Sequence, residues 1–123
     1  MHDQGLGSWP ARRGRMTPGK TALIGAGVTR TYAELAENTT RLAHGLAARG
    51  IARGDRVAFV GLNSIELVEA MFATAKLGAV FLPLNTRLAP PETAWILADS
   101  GAKLLIAAAD FARHAGRPAD RPR

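Results

Sequence analysis

"RVAFVGLNSIELVEAMFATAKLGAVFLPLN", residues 56–85, is an apolar run, a stretch with helical spacing and a second apolar run. "RVAFV" is too short for a helix and has no polar alternation, so it reads as a buried strand at 56–60. Asn63 and Glu66 stand three apart, the spacing of a capping box, and open a helix that stops at Gly78. On it Glu66, Glu69 and Lys76 form a narrow polar stripe, while nearly every other position is apolar. Such a helix needs cover on more than one side. "AVFLPLN" (79–85) is a second buried strand, in which Pro83 requires an edge or an end. A strand, a helix and a strand in this order point to a parallel pair.

The pattern extends in both directions. "TYAELAENTTRLAHGLAARG" (31–50) has Thr31 and Glu34 as a capping box, Leu35, Thr39, Leu42, Ala43 and Leu46 toward one side, and Gly50 as the stop. Gly54-Asp55 makes the turn into the strand. "PPETAWILADSG" (90–101) is a third helix with proline at its start and Gly101 after its end. "KLLIAAA" (103–109) is the last strand. Before them "TALIG" (21–25) and "VTRT" (28–31) flank Ala26-Gly27 as a hairpin. The expected fold is α/β: a β-hairpin followed by α-β-α-β-α-β units with a largely parallel sheet.

The net charge of +6 does not belong to that fold. Residues 1–20 hold a surplus of +3, residues 112–123 another +3, and residues 21–111 carry eight basic and eight acidic side chains. The surplus thus lies in segments rich in Gly, Pro and Arg, a composition that stays disordered. The expected organisation is a flexible basic tail over 1–17, a folded part over 18–111 and a disordered Arg/Pro-rich tail over 112–123. A nucleic-acid groove would leave its surplus in the folded part, so no nucleic-acid partner is expected. The chain has no cysteine, which removes disulfides and thiolate metal sites. Without a signal-like or membrane-spanning apolar stretch, a cytoplasmic location off the membrane is expected.

"GRMTPGKT" (14–21) matches G-x-x-x-x-G-K-T letter for letter. In a phosphate loop a strand delivers the glycines and a helix begins at the Lys-Thr. No strand is expected before Gly14, and the glycines of "ALIGAGVTRT" forbid a helix after Thr21. Lys20 therefore reads as an exposed residue leading into the first strand. "GLG" (5–7) lacks a third glycine. His2 and His114 lie in the expected tails, and His44 falls on the solvated side of its helix. Ser8, Ser64 and Ser100 lack a nucleophile setting, Ser64 and Ser100 standing at helix ends where hydroxyls cap. Asp55 is accounted for by its turn. No catalytic, cofactor-binding or metal-binding residue is assigned.

Taken in order, "TYAEL" (31–35), "RGDRVA" (53–58), "LNSIE" (62–66), "AKLGAVFLPLN" (75–85), "RLAPPE" (87–92) and "DSGAK" (99–103) resemble the N-terminal segment of AMP-forming acyl-CoA synthetases. "PGKTALI" (18–24) resembles that family's lead-in to its first strand, and the resemblance covers about 18–109. It implies an incomplete part of the large N-terminal domain of an adenylate-forming enzyme. The parent reaction joins a carboxylate to the α-phosphate of ATP and then transfers the acyl group to a thiol, with Mg²⁺ and coenzyme A. The family's phosphate loop, metal carboxylate, ribose aspartate and catalytic lysine have no counterpart here. The matched polar positions Asn63, Asn85, Arg87 and Glu92 are explained by capping and loop packing.

The expectation is thus an inactive fragment of a ligase, its natural partner the missing remainder. One chain of a split ligase and a non-catalytic α/β binding module are the alternatives, and the reading frame beyond Arg123 would separate truncation from a split gene. Self-association through exposed apolar surface, on the second helix and at an open sheet edge, is also expected. The acyl substrate is not legible.

Overall fold

The computed structural model describes residues 6–25, 27–62 and 64–114. Its elements are a 3-10 turn Leu6–Ser8, α1 Trp9–Met16, β1 Thr21–Gly25, β2 Val28–Thr31, α2 Tyr32–Ala48, β3 Arg56–Val60, α3 Ile65–Lys76, β4 Val80–Leu84, α4 Pro90–Ser100, β5 Leu104–Ala107 and a 3-10 segment Ala109–His114. β1 and β2 pair antiparallel, Ile24 facing Thr29 and Gly25 facing Val28. Gly27 holds φ at +78°, which an L side chain resists; its turn partner Ala26 lies outside the described residues.

β3 is the centre of a parallel three-stranded sheet in the order β4-β3-β5. Val57 aligns with Phe81 on one side and with Leu104 on the other. The central place follows from composition: Val57, Ala58, Phe59 and Val60 are all buried, as a strand covered on both faces must be. β4 is an edge, so Pro83 takes no donor from a ladder on its open side. The two crossovers leave β3 and β4 in opposite directions, and their common right-handedness puts α3 and α4 on opposite faces. On the α2–α3 face Ala43, Leu46, Ile51, Val57 and Ala73 form the core, with Leu104 and Ile106 against it.

The local signals act as expected at α2 and α4, while the start of α3 is shifted by one residue. Thr31 Oγ1 accepts from Glu34 N at 3.1 Å and Glu34 Oε1 accepts from Thr31 N at 2.8 Å, closing the capping box of α2. On α3 the cap is Ser64, whose Oγ accepts from Leu67 N at 3.2 Å; the expected cap Asn63 lies outside the described residues. Gly101 ends α4 in the left-handed region with φ +71°.

Two expectations are corrected. Residues 6–16, expected to lie in a flexible tail, form a turn and a helix packed on α2 and α3. Proline near the N-terminus of α1 costs no hydrogen bond there, and Trp9 supplies the apolar area that arginine-rich neighbours lack. Its ring stacks on Phe72 with centroids 5.6 Å apart and meets Tyr32 edge-on at 5.6 Å. Gly7 is buried so tightly that a Cβ would lie 2.6 Å from the Lys76 backbone. His114, also placed in a tail, is 4% exposed against α4. Residues 1–5 and 115–123 lie outside the described residues.

Candidate functional site

In open α/β sheets ligands sit beyond the carboxyl ends of the strands, where successive crossovers diverge. Here that place is the end of β3, between the loops that follow β3, β4 and β5. Gly61, just past β3, is buried. A Cβ on it would lie 2.8 Å from Ala108 Cβ and 2.8 Å from the Phe59 ring. Ala108 N continues the ladder by donating to Val60 O at 3.0 Å. The carboxyl end of β3 beside β5 is therefore closely packed around Gly61 by Ala108 and the Phe59 ring.

The polar groups around it serve the chain locally. Ser64 caps α3. Asn85 Oδ1 accepts from Arg87 N at 2.9 Å, and Asn85 O accepts from Leu88 N at 3.2 Å, shaping the loop after β4. Glu92 Oε1 accepts from Ala89 N at 2.8 Å, half of a capping box whose other half an alanine cannot make. Arg87 and Asp110 are exposed. The capping and loop roles expected for Asn85 and Glu92 are the ones observed. No group of three or more His, Asp or Glu able to hold a metal ion occurs among the described residues.

The "GRMTPGKT" stretch runs in the opposite sense to a phosphate loop. Gly14, Arg15 and Met16 end α1, residues 17–20 turn, and Thr21 opens β1. The Thr17 amide donates to Arg13 O at 2.8 Å and the Lys20 amide to Thr17 O at 3.2 Å. Pro18 O and Lys20 O accept from Ala33 N and Tyr32 N at 3.1 and 2.9 Å. A helix C-terminus and engaged amides offer no cradle for phosphate oxygens, so these residues do not fit a nucleotide.

Two polar clusters escaped the sequence reading. Glu69, read in the sequence only as part of the narrow polar stripe of α3, has a side chain only 13% exposed and stands 3.8 Å from Arg30 Nε of β2. Its Oε2 also accepts from Asn38 Nδ2 of α2 at 2.9 Å. The spacing places Glu69 with Glu66 and Lys76, but the hairpin lies over its end of the stripe and nothing in the local pattern announces that. Between α1 and α2 an open groove of about 610 Å³ is lined by Ala11, Gly14, Arg15, Ala36, Arg41 and His44 among others. His44 is exposed, as its helical position implied, and the neighbouring Arg41–Glu37 pair is solvent-exposed at 2.9 Å. The groove's floor is small residues and its charges are solvated, so it gathers no chemistry. Thr93 and His114, the other cluster, meet under α4.

Comparison with known proteins identifies what this framework belongs to. The chain is 54% identical over 106 residues to a feruloyl-CoA synthase of Amycolatopsis, covering 86% of this chain and 22% of that protein. It is 51% identical over 79 residues to a long-chain-fatty-acid–CoA ligase of Mycobacterium tuberculosis, covering 64% of this chain and 16% of that one. The crystal structure of the N-terminal domain of a Mycobacterium tuberculosis protein, FACL13, superposes with a TM-score of 0.86 at 38% identity, over 98% of this chain and 31% of that domain. The o-succinylbenzoate coenzyme A synthetase of Bacillus subtilis, solved with ATP and magnesium ion, superposes with a TM-score of 0.75 at 37% identity, over 84% of this chain and 28% of that one. The chain thus spans about a fifth of the length of these curated relatives and corresponds to part of an acyl-CoA synthetase N-terminal domain. Residues 10–122 match the sequence profile of the AMP-binding enzymes, and the chain belongs to that family.

Proposed function

We propose that this chain serves as the opening portion of the large domain of an AMP-forming acyl-CoA ligase and does not activate carboxylates by itself. The whole enzyme would condense a carboxylic or fatty acid with ATP, release pyrophosphate, and pass the acyl group from AMP to coenzyme A. In-line attack on the α-phosphate needs donors and a cation placed where charge develops on the phosphate oxygens. ATP and Mg²⁺ would be held by the remainder of the ligase, the partner of this chain, and the setting is cytoplasmic. What this chain contributes is the β4-β3-β5 sheet and its helices, on which that remainder packs.

The observation carrying this reading is the polar inventory at the strand ends. Ser64, Asn85 and Glu92 are each committed to a cap or a turn, which leaves no convergent set to act on a phosphate among the described residues. ATP–pyrophosphate exchange with the purified chain and a panel of fatty and aromatic acids should stay at background. Exchange above background that depends on one of those acids would overturn the proposal. Lys20→Ala should leave ATP binding unchanged in calorimetry; a micromolar affinity abolished by that substitution would mean that the turn at 17–20 is a nucleotide site after all.

A further inference from the structure

We propose that the contact between α4 and the segment Ala109–His114 is an acid-operated latch, closed while the His114 imidazole is neutral and released when it takes up a proton. Three observations carry it. Thr93 is 0% exposed and His114 4%. Thr93 Oγ1 and His114 Nδ1 are 2.7 Å apart, and among the described residues this is the hydrogen bond that joins the segment to α4. His114 Nε2 is buried without a partner.

A neutral imidazole has one N–H and one lone pair, so Thr93 can satisfy Nδ1 in either tautomer. An imidazolium carries two N–H donors. Closed, its second donor would point at Nε2 into a site without an acceptor, and a buried unpaired charge is far more costly than an unpaired neutral nitrogen.

Among the described residues, the surroundings offer no compensating anion. On the segment itself Asp110 is exposed, and the exposed Arg113 lies against Phe111 and reaches Asp110 O at 3.4 Å. On α4, Glu92 is exposed and holds Ala89 N, and Asp99 is exposed. β5 has no titratable side chain, and Lys103 before it is engaged by Gly50 O and Asp55. Burial, and then the Arg113 charge, hold the His114 pKa below its ordinary 6.5. Opening returns the ring to water, where it binds a proton more readily. The closed form is therefore favoured most above pH 6.5 and less as pH falls below it. The closing equilibrium drops by up to about tenfold per pH unit until the closed form itself titrates.

The test is ¹⁵N NMR on the full chain from about pH 8 to about pH 5. The imidazole resonances should titrate below 6.5, with the amides of Thr93 and residues 110–114 moving in the same transition and far-UV circular dichroism unchanged. His114→Gln should remove the transition, and Thr93→Val should open the segment at every pH and return the ring to its ordinary range. A ring that titrates normally while those amides stay still would overturn the latch, as would an undiminished transition in His114→Gln. If His114→Gln does not fold, Thr93→Val decides, since an unchanged segment and ring titration in that variant would overturn it equally.

Discussion

Trp9 shows how much one side chain can decide in a chain this small. It stacks on Phe72 at an interplanar angle of 15° and meets Tyr32 at 70°, and ring pairs of these kinds add to the area they bury. Arg13, one turn on, sets its guanidinium 4.9 Å from the Tyr32 centroid. Trp9→Ala should cost roughly 2–3 kcal/mol in urea unfolding, short of a fully buried tryptophan because part of the ring meets solvent. Trp95, 66% exposed, is the control, and Trp95→Ala should stay within about 0.5 kcal/mol of the parent. Equal losses in the two variants would contradict the stacked arrangement. Asp55 makes a separate prediction. Its Oδ2 accepts from Ala52 N at 2.7 Å and lies 3.3 Å from Lys103 Nζ. Those bonds, the backbone one first, hold its pKa below the ordinary 3.8. A carboxylate depressed in the folded state stabilises above its unfolded value and stops doing so as pH falls through the folded one. Asp55→Asn should therefore flatten the acid limb of the stability curve below pH 3.8 and leave the His114 window untouched; an unaltered acid limb would show that Asp55 contributes nothing there.

At the scale of elements, what could be read from sequence was what local patterns determine. Capping at Thr31 and the terminal glycines Gly50, Gly78 and Gly101 act through neighbours in sequence, and they make α2, α3, α4 and the parallel strands legible. Pro83 alone leaves open a strand end or an edge, and the strand order places β4 at an edge. α1 was not legible because "WPARRGRM" has too little apolar content to form a helix alone; it is stabilised by a ring 63 positions away in sequence, Phe72. The signals were Ser8 and Pro10 around Trp9, a helix start with an aromatic anchor. Glu69 failed for the same reason, since its partners Arg30 and Asn38 belong to other elements. The candidate site was legible in a different sense: the absence of a strand before Gly14 was enough to reject a phosphate loop, although the helix actually found there was not foreseen. Deleting residues 1–16 should accordingly lower the midpoint of thermal unfolding markedly, where a flexible tail would have left it in place. An unchanged midpoint would return α1 to the status of a tail.

For the whole molecule, the expectation of self-association has two grounds, the apolar circumference of α3 and an open sheet edge, and the first is overturned. The apolar circumference of α3 was to be the exposed surface, yet the turn at Leu6–Ser8, α2, the hairpin and the sheet cover it, with Phe72 and Ala73 buried. What remains open lies elsewhere. β5 forms an outer edge of the described sheet, its four residues LLIA are only partly buried, and no charge or proline interrupts them as Pro83 interrupts β4. Unprotected edges of this composition pair with further strands. Trp95 at 66% and Leu62 at 60% exposure add apolar side chains away from the core. In the proposed complete ligase the rest of the large domain would take that place; alone, a second copy of the chain can. Light scattering behind size exclusion should therefore show mass rising with loading concentration. Ile106→Lys, which puts a charge into the β5 edge strand, should reduce that rise more than Val80→Lys in the edge that proline already guards. Circular dichroism of both variants would confirm that each still folds. A constant monomer mass over a wide range of concentration would show instead that β5 needs no partner.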